Sequence, residues 1–565
     1  MPTPTAVDDR MRPATELMRP SRLGALQPTR LSFAQSFVDT ANIQGWRIER
    51  TLFELDESAR GRAVYEVTPP SRRVLTVAVF SYPPAATQRT DRILGHAWDA
   101  TATLVEGRLT ERQMVEQEAE LLRLYEGRAT PETLIWARAQ RSMRAFELVV
   151  DALAGGAQPP TGILATTGYL MRNTGMDGNG TFGTKTFAAY DAEHPLRQPY
   201  HAQMLMAYVI REFGFDLADH LAFVRGGAAA ARLSPELRRY LGIGNSSGLG
   251  LMFYLNNHAD FINRWLGERE QRLAAARGLS LDGPLRAFLV GRLTACAHDR
   301  AADRSRDPGM TVPPGSLVAS ELRAVVARVE AGEFASGDGL VRALQTDGST
   351  SAETQEVVNA ALIDYVLSTE AGAVAPAPLL GDAPRVWDPL LSIGELRSLI
   401  STRYGWAAEL AAAGTDPYYS WYKSQTAEEP RRGPLLSLPS PRYDLTLDLP
   451  AGVEAVLDAL ADRPAESTVT ELLLDRPDLR AIVERLVAHA DYRYAEVQAD
   501  LRSRQLHAPH MIRLVNCAFF GISKTREQGP LGTVGVILLG APSPGELGTE
   551  AGTWEPPVEL LGSNA

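Results

Sequence analysis

Apolar and polar positions alternate along three short segments near the start of the chain. The segments cover residues 46–55, 63–68 and 74–81. Alternation with a period of two is typical of strands that bury one face, and the β-branched and aromatic residues of these segments favour the same structure. Turn-forming residues such as Pro69 and Pro70 separate the segments. The pattern therefore predicts an antiparallel meander near the N-terminus, preceded by a short helix over 33–42.

Apolar residues recur every three or four positions through the middle of the chain, which is the spacing of an amphipathic helix. The predicted helices cover residues 111–125, 131–153, 202–223, 235–241, 249–277, 284–298, 316–331, 354–368, 393–413, 453–461 and 479–504. Near the C-terminus, apolar runs over 512–522 and 533–539 flank a turn that contains Gly529 and Pro530. These two runs predict a hairpin.

Strands that cluster at the two ends of a helical chain do not fit a parallel βαβ fold, in which strands and helices alternate. We therefore predict a predominantly helical α+β fold, with small antiparallel strands at the N-terminal (46–81) and C-terminal (512–539) ends around a large helical body. The predicted segments are a flexible extension (1–30), a meander with helices (31–156), a helical body with the candidate site (157–371), a linker (372–390), C-terminal helices with the hairpin (391–540) and a tail (541–565).

Composition narrows the class of protein. The formal charge is −11, from 57 basic and 68 acidic residues, so no overall positive field favours nucleic acid or an anionic membrane. The longest apolar runs are only strand-length, and we expect no membrane span. Cys296 and Cys517 lie far apart in sequence, which indicates reduced thiols and a cytoplasmic protein. A homodimer is expected only because it is the commonest oligomer of soluble proteins.

Titratable residues line one flank of the helix predicted over 202–223. The apolar stripe of this helix consists of Leu205, Val209, Phe213, Leu217 and Leu221. Glu212, Asp216 and His220 follow one another at four-residue spacing beside that stripe, so their side chains are neighbours on the helix surface. They are our candidate catalytic residues, because carboxylates and an imidazole can act as general acid and base. The alternative interpretation is a solvated helix flank.

A glycine-rich stretch over 172–185 precedes this helix. Its glycines allow the backbone to approach a ligand closely, and its cationic ends suit a carboxylate or a phosphate. The candidate substrate-binding residues are Arg172, Asn173, Asn179 and Lys185. The spacing of Asp177, Asn179 and Thr181 resembles the start of a calcium loop, but Phe182 and Ala188 stand where that loop requires glycine and glutamate. An ordinary surface loop is the alternative interpretation.

A second glycine-rich stretch, over 242–250, follows the helix. Asn245, Ser246 and Ser247 are candidate binding residues there, because free amides at the start of a following helix attract anions. Gly244, Ser246 and Gly248 also match Gly-x-Ser-x-Gly, in which the serine is a nucleophile. That motif needs a preceding strand, whereas the pattern predicts a helix before it. A capped turn without a ligand is the remaining alternative.

No cofactor is identified by a motif. His194, His201 and His220 are candidate metal ligands, although none of them has a recognised metal-ligand spacing. The leading hypothesis is a cytoplasmic enzyme that acts on a small anionic metabolite by elimination, isomerisation or group transfer. The alternatives are a non-catalytic scaffold that uses the aromatic residues near 418–422, and a serine hydrolase that uses Ser246. The leading hypothesis requires both glycine-rich stretches to meet over the acidic flank of the helix between them.

Overall fold

The computed structural model describes most of the chain, and statements about absence below concern these described residues. They are residues 10–17, 20–83, 98–124, 132–178, 190–191, 193–198, 200–245, 259–302, 314–369, 388–412, 420–424, 431–433, 444–446, 449–494, 508–522, 525–527 and 533–554. The chain divides into two compact units. The first comprises Met1–Gln27, Leu249–Ala371 and Leu379–Val515; the second comprises Pro28–Gly248, Gly372–Pro378 and Asn516–Ala565.

Strands occur in both units. They are β1 (Arg47–Leu55), β2 (Gly61–Thr68), β3 (Leu75–Ser81), β4 (Ala100–Glu106), β5 (Thr133–Arg141), β6 (Tyr169–Gly178), β7 (Gly242–Asn245), β8 (Ser420–Ser424), β9 (Arg431–Gly433), β10 (Asp444–Thr446), β11 (Thr525–Glu527) and β12 (Thr533–Ile537). The second unit contains one nine-stranded sheet in the order β1-β2-β3-β4-β5-β6-β7-β12-β11, and the first unit contains the three-stranded sheet β10-β8-β9.

The α-helices include counterparts of most of the predicted ones, and several further helices that the pattern did not predict. They are α1 (Ala14–Leu17), α2 (Pro20–Leu23), α3 (Phe33–Ile43), α4 (Glu111–Leu124), α5 (Phe146–Ala154), α6 (Thr161–Thr167), α7 (His201–Gly226), α8 (Pro235–Tyr240), α9 (Ala259–Arg277), α10 (Gly283–Ala302), α11 (Gly315–Glu330), α12 (Gly337–Thr346), α13 (Ala352–Thr369), α14 (Ile393–Ala412), α15 (Leu449–Leu460), α16 (Val469–Asp475), α17 (Arg480–Ala488) and α18 (Ala508–Phe520). The prediction that helix predominates is confirmed. No helix of the described part is long and apolar enough to cross a bilayer.

The predicted fold class is nevertheless wrong. The strands do not form two small sets at the ends of a helical body, because β1 to β7 build most of one large mixed sheet from the N-terminal half of the chain. Residues 133–141 were predicted as helix and form β5, which is buried on both faces. The residues Ala137, Arg138 and Ala139 of this strand favour helix as isolated residues, and α5 follows after a short turn, so the pattern over 131–153 predicted one continuous helix.

The C-terminal prediction is wrong in a related way. The run over 512–522 was predicted as a strand of a hairpin, but it lies largely within α18. A short apolar run has too few residues for its period to separate helix from strand. The neighbouring run over 533–539 does contain a strand, β12, which pairs with β7 and β11. Strands β12 and β11 extend the sheet beyond β7, at the end opposite to β1.

One crossover interrupts an otherwise antiparallel sheet. Strands β1 to β6 each pair with the next strand antiparallel, whereas β6 and β7 are parallel and are joined through α7. A helix that connects two parallel strands runs in the opposite direction to them. Gly214 of α7 lies against Met171 of β6, where an added β-carbon would come within 2.7 Å of the Met171 side chain. Glycine therefore allows α7 to pack closely on the sheet.

The first unit is mainly helical and contains two hydrophobic clusters. One is formed by α9 to α13, with Leu289, Leu322 and Leu362 fully buried, and the other by α14 to α17. The N-terminal residues, predicted as part of a flexible extension, contribute to this unit through Arg12, which is 2% exposed. Its guanidinium pairs with Glu270 of α9 and Glu356 of α13. The unit therefore uses an N-terminal arginine to neutralise buried carboxylates.

Candidate functional site

The two glycine-rich stretches lie side by side as the parallel strands β6 and β7. Arg172 is paired with Gly244, and Asn173 with Asn245. Both stretches were expected to be loops, and both begin as strands in the middle of the sheet. Their carboxyl ends point to the same edge. In open sheets with helical crossovers, ligands bind outside the carboxyl ends of parallel strands, so this edge is the candidate site.

Four of the seven candidate binding residues lie outside the described residues. Asn179 and Lys185 follow β6, whereas Ser246 and Ser247 follow β7. Ser246 also directly follows a strand, as a serine nucleophile in Gly-x-Ser-x-Gly requires, and not the helix that was predicted. The hydrolase interpretation stays a prediction.

Asn173 and Asn245 form the buried centre of the site. Their exposed fractions are 0% and 3%, and the Asn245 amide nitrogen donates a hydrogen bond of 2.8 Å to Asn173 Oδ1. Asn173 shares its sheet face with Met171, which packs on α7, since side chains two positions apart lie on the same face. The Nδ2 atom of Asn173 has no hydrogen-bond partner among the described residues. A buried amide without an acceptor costs free energy, so this atom marks a place where a ligand oxygen would bind.

Arg172 lies on the opposite face of the sheet. It is 3% exposed and donates from Nη2 to Gln140 Oε1 over 2.8 Å. Arg138 shares this face, two positions before Gln140, and its guanidinium stacks on the rings of Trp98 (4.0 Å) and Trp136 (4.8 Å). This face therefore carries two guanidinium groups beside the candidate edge. The sequence analysis missed Arg138, Gln140 and both tryptophans. The available signal was the alternation of Trp136, Arg138 and Gln140 with two alanines, which is the period of a strand.

The acidic flank of α7 has the predicted spacing but different surroundings from those expected. The apolar stripe beside it is buried, as predicted. Glu212 is itself buried, and Arg211 Nη1 lies 2.9 Å from its carboxylate. Asp216 accepts a 2.8 Å hydrogen bond from the Tyr65 hydroxyl and pairs with Arg50 at 3.1 Å. These contacts connect the flank to β1 and β2 and not to the Asn173–Asn245 pair.

The direction of α7 explains this separation. Gly214 packs beside Met171, two positions before Asn173, and α7 runs antiparallel to β6. Later residues of α7 therefore lie toward the amino end of β6, away from the candidate edge. His220, the last of the three, places Nε2 3.0 Å from the Asp56 carbonyl and packs on Phe53. The glycine-rich stretches meet each other, but Asp216 and His220 follow Gly214 and lie toward the other end of the crossover.

The metal-ligand candidates have individual partners and form no cluster. His201 is fully buried, its Nε2 lies 3.2 Å from Ser36 Oγ, and burial lowers its pKa to about 3. His194 stacks on Tyr190 at 3.9 Å, and burial lowers its pKa as well. Within the described part of the chain, no group of three or more His, Cys, Asp or Glu residues could hold a metal ion.

Comparisons with models of protein families, with curated proteins and with solved structures found no match. Function must therefore be inferred from the chemistry of the site. Buried carboxamides and guanidinium groups supply hydrogen-bond donors in fixed positions, and such donors recognise the oxygens of carboxylates and phosphates. The arrangement at the carboxyl ends of β6 and β7 can therefore bind a small molecule rich in acceptor oxygens.

The acidic flank has a pH-dependent effect on stability. Burial raises the pKa of Glu212 to about 7, although Arg211 and Arg238 act in the opposite direction. A carboxyl whose pKa is higher in the folded state stabilises the fold below its unfolded pKa, and that contribution is lost as the pH rises through 7. Between pH 5 and pH 8, we expect wild-type protein to lose about 2–3 kcal/mol more unfolding free energy than Glu212→Gln, measured by urea denaturation. Equal losses in both proteins would contradict the raised pKa.

Proposed function

We propose that this protein binds a small anionic metabolite, with a carboxylate or phosphate group, at the carboxyl ends of β6 and β7. One observation carries the proposal: the parallel pairing of these strands joins Asn173 to Asn245, the last residue of β7, with Arg172 beside them on the opposite face of the sheet. Parallel pairing through a helical crossover is the arrangement in which strand ends form binding crevices.

The chemistry of the neighbouring residues supports an anion. Arg172 is positively charged and buried, and a guanidinium in a region of low dielectric attracts a carboxylate or phosphate strongly. Lys185, Ser246 and Ser247 belong to the segments that follow the two strands, and they would add a cation and two hydroxyl groups. The acid–base candidates of α7 have protein partners of their own, so the proposal concerns binding at the strand ends.

Isothermal titration calorimetry with succinate and with inorganic phosphate tests the proposal. We expect wild-type protein to bind at least one of the two probes, and we expect Lys185→Ala and Asn245→Leu to weaken that binding 10-fold or more, because each removes a donor to the anion. Gln158→Leu is the matched control, since Gln158 is an exposed amide that bonds only to Arg232 and Ser234 among the described residues.

The two outcomes are clearly separated. Binding that survives in Gln158→Leu and falls in both site variants supports the proposal, provided that the circular dichroism spectra of all four proteins agree. Wild-type protein that binds neither probe, or site variants that bind as tightly as wild type, would reject an anion site at this edge.

A further inference from the structure

A third buried asparagine lies beside the Asn173–Asn245 pair. Gly535 of β12 is paired with Asn245, so Asn173, Asn245 and Gly535 form one row across three adjacent strands on the same face of the sheet. Gly535 has no side chain to fill its place in this row. An added β-carbon there would lie 3.0 Å from Cδ1 of Ile522 and 3.7 Å from Oδ1 of Asn516, which projects from α18. The carboxamide of Asn516 and the side chain of Ile522 therefore share the next position in the row.

Two of the three carboxamides have nitrogen atoms without an acceptor. Asn516 is 3% exposed, and its Nδ2 atom, like that of Asn173, has no hydrogen-bond partner among the described residues. Each nitrogen carries two N–H donors. Native proteins satisfy nearly all buried polar groups, and each exception requires an explanation. Two such exceptions in one row beside Asn245 indicate an acceptor that the described residues do not supply.

Aromatic side chains hold Asn516 in position. Phe519, one helical turn after Asn516 on α18, packs against Phe33 of α3 at 5.0 Å and against Tyr200 at 4.4 Å. Tyr200 directly precedes α7, the crossover helix that packs on β6. Because these rings are buried, the rotation of α18 and hence the direction of the Asn516 carboxamide are fixed before a ligand binds.

The absence of positive charge among the paired residues of this row favours a singly charged acceptor. The paired residues in the row are Ala139, Asn173, Asn245 and Gly535, and none of them is cationic. Burying a doubly charged phosphate beside neutral donors would cost more free energy than burying a single negative charge. A carboxylate offers two oxygens in one plane, and four N–H donors of two carboxamides can satisfy them.

We propose that Asn173, Asn245 and Asn516 form a carboxylate-binding subsite, with Asn516 as a ligand-binding residue. This inference rests on the proposed function and names the substrate class of that site: a metabolite that is recognised through a carboxylate and not through a phosphate.

Titrations of three probes test the subsite: succinate, its uncharged diamide succinamide, and inorganic phosphate. We expect wild-type protein to bind succinate at least 10-fold more tightly than phosphate. Asn516→Asp keeps the shape of the side chain but replaces its donors with a negative charge, so we expect it to weaken succinate binding 10-fold or more and to leave succinamide binding within about 3-fold. Gln158→Leu again serves as the control.

A measurement on wild-type protein covers the case in which Asn516→Asp fails to fold. In protein labelled with ¹⁵N at asparagine, succinate is expected to shift the side-chain amide signals of Asn173 and Asn516, whereas phosphate leaves them in place. Succinate binding that is weakened by Lys185→Ala but insensitive to Asn516→Asp, with unmoved asparagine amide signals, overturns the subsite and leaves the anion site standing. A wild-type protein that binds no probe overturns both. Phosphate binding that depends on Asn516 overturns the assignment to carboxylates.

Discussion

Replacing Arg12 with alanine is expected to lower the free energy of unfolding of the helical unit by about 3–5 kcal/mol. The Arg12 side chain is 1% exposed and the carboxylates of Glu270 and Glu356 are 0% exposed. Arg12 donates to both oxygens of Glu270, at 2.8 Å and 2.6 Å, and also reaches Glu356. Alanine would leave two buried carboxylates with one neighbouring arginine fewer, and an uncompensated buried charge is costly.

Urea denaturation at pH 7, followed by circular dichroism, measures this loss. Arg480→Ala is the matched control, because Arg480 pairs with Glu484 on the surface of α17, and a surface pair contributes about 0–1 kcal/mol. A loss of less than about 1 kcal/mol for Arg12→Ala would show that the N-terminal arginine is not part of the core of this unit. Burial favours the neutral form of Glu356, but Arg12 and Arg269 outweigh it and lower its pKa to about 2. This contribution to stability is therefore lost as the pH falls from about 4.5 toward 2.

Replacing Arg211 with alanine is expected to destabilise the unit that contains the nine-stranded sheet by a similar amount, about 3–5 kcal/mol. Arg211 lies on α7 and is 2% exposed. Its guanidinium donates to the carbonyl oxygens of Leu241 (2.7 Å), Arg238 (2.6 Å) and Ala541 (3.0 Å). These carbonyls lie just before β7 and just after β12, so one side chain joins the crossover helix to both strands. Without the Arg211 guanidinium, these carbonyls and the Glu212 carboxylate would lose a hydrogen-bond donor.

A second substitution, Arg211→Lys, distinguishes the effect of the positive charge from that of the hydrogen-bond geometry. Arg211→Lys keeps the positive charge but cannot reproduce the planar arrangement of five donors, so it is expected to recover less than half of the lost stability. Arg225→Ala on the same helix is the control, since Arg225 is 38% exposed and pairs only with Glu147 and Asp151 among the described residues. Equal effects of Arg211→Ala and Arg225→Ala on the urea midpoint would show that Arg211 does not join α7 to β7 and β12.

The helical periodicity was the most informative signal in the sequence. It located α7 to within a few residues, because a stripe from Leu205 to Leu221 repeats over several turns and a long repeat has only one good interpretation. The same reasoning failed for β5 and for α18, which are short or buried on both faces. In such segments the apolar residues no longer report which side faces the core.

The candidate site was only partly visible from the sequence. Asn173 and Asn245 stood out because they lie within glycine-rich stretches, and the structure places them in direct contact. Asn516 gave no local signal, since it lies in an apolar segment more than 250 residues away from Asn245 in sequence. Its position in the site follows from the pairing of β12 with β7, and pairing between distant strands is not encoded in local periodicity.

The sequence by itself determined the long periodic helices such as α7, the acidic balance and the two polar stretches around α7, because these depend on residue type and short-range spacing. Only the tertiary structure decided that those stretches are parallel neighbours, that Glu212 and Asp216 have protein partners of their own, and that Asn516 lies beside Gly535 in the row. The physical reason is that strand order and helix direction are set by burial and hydrogen bonding between distant parts of the chain, which no local pattern records.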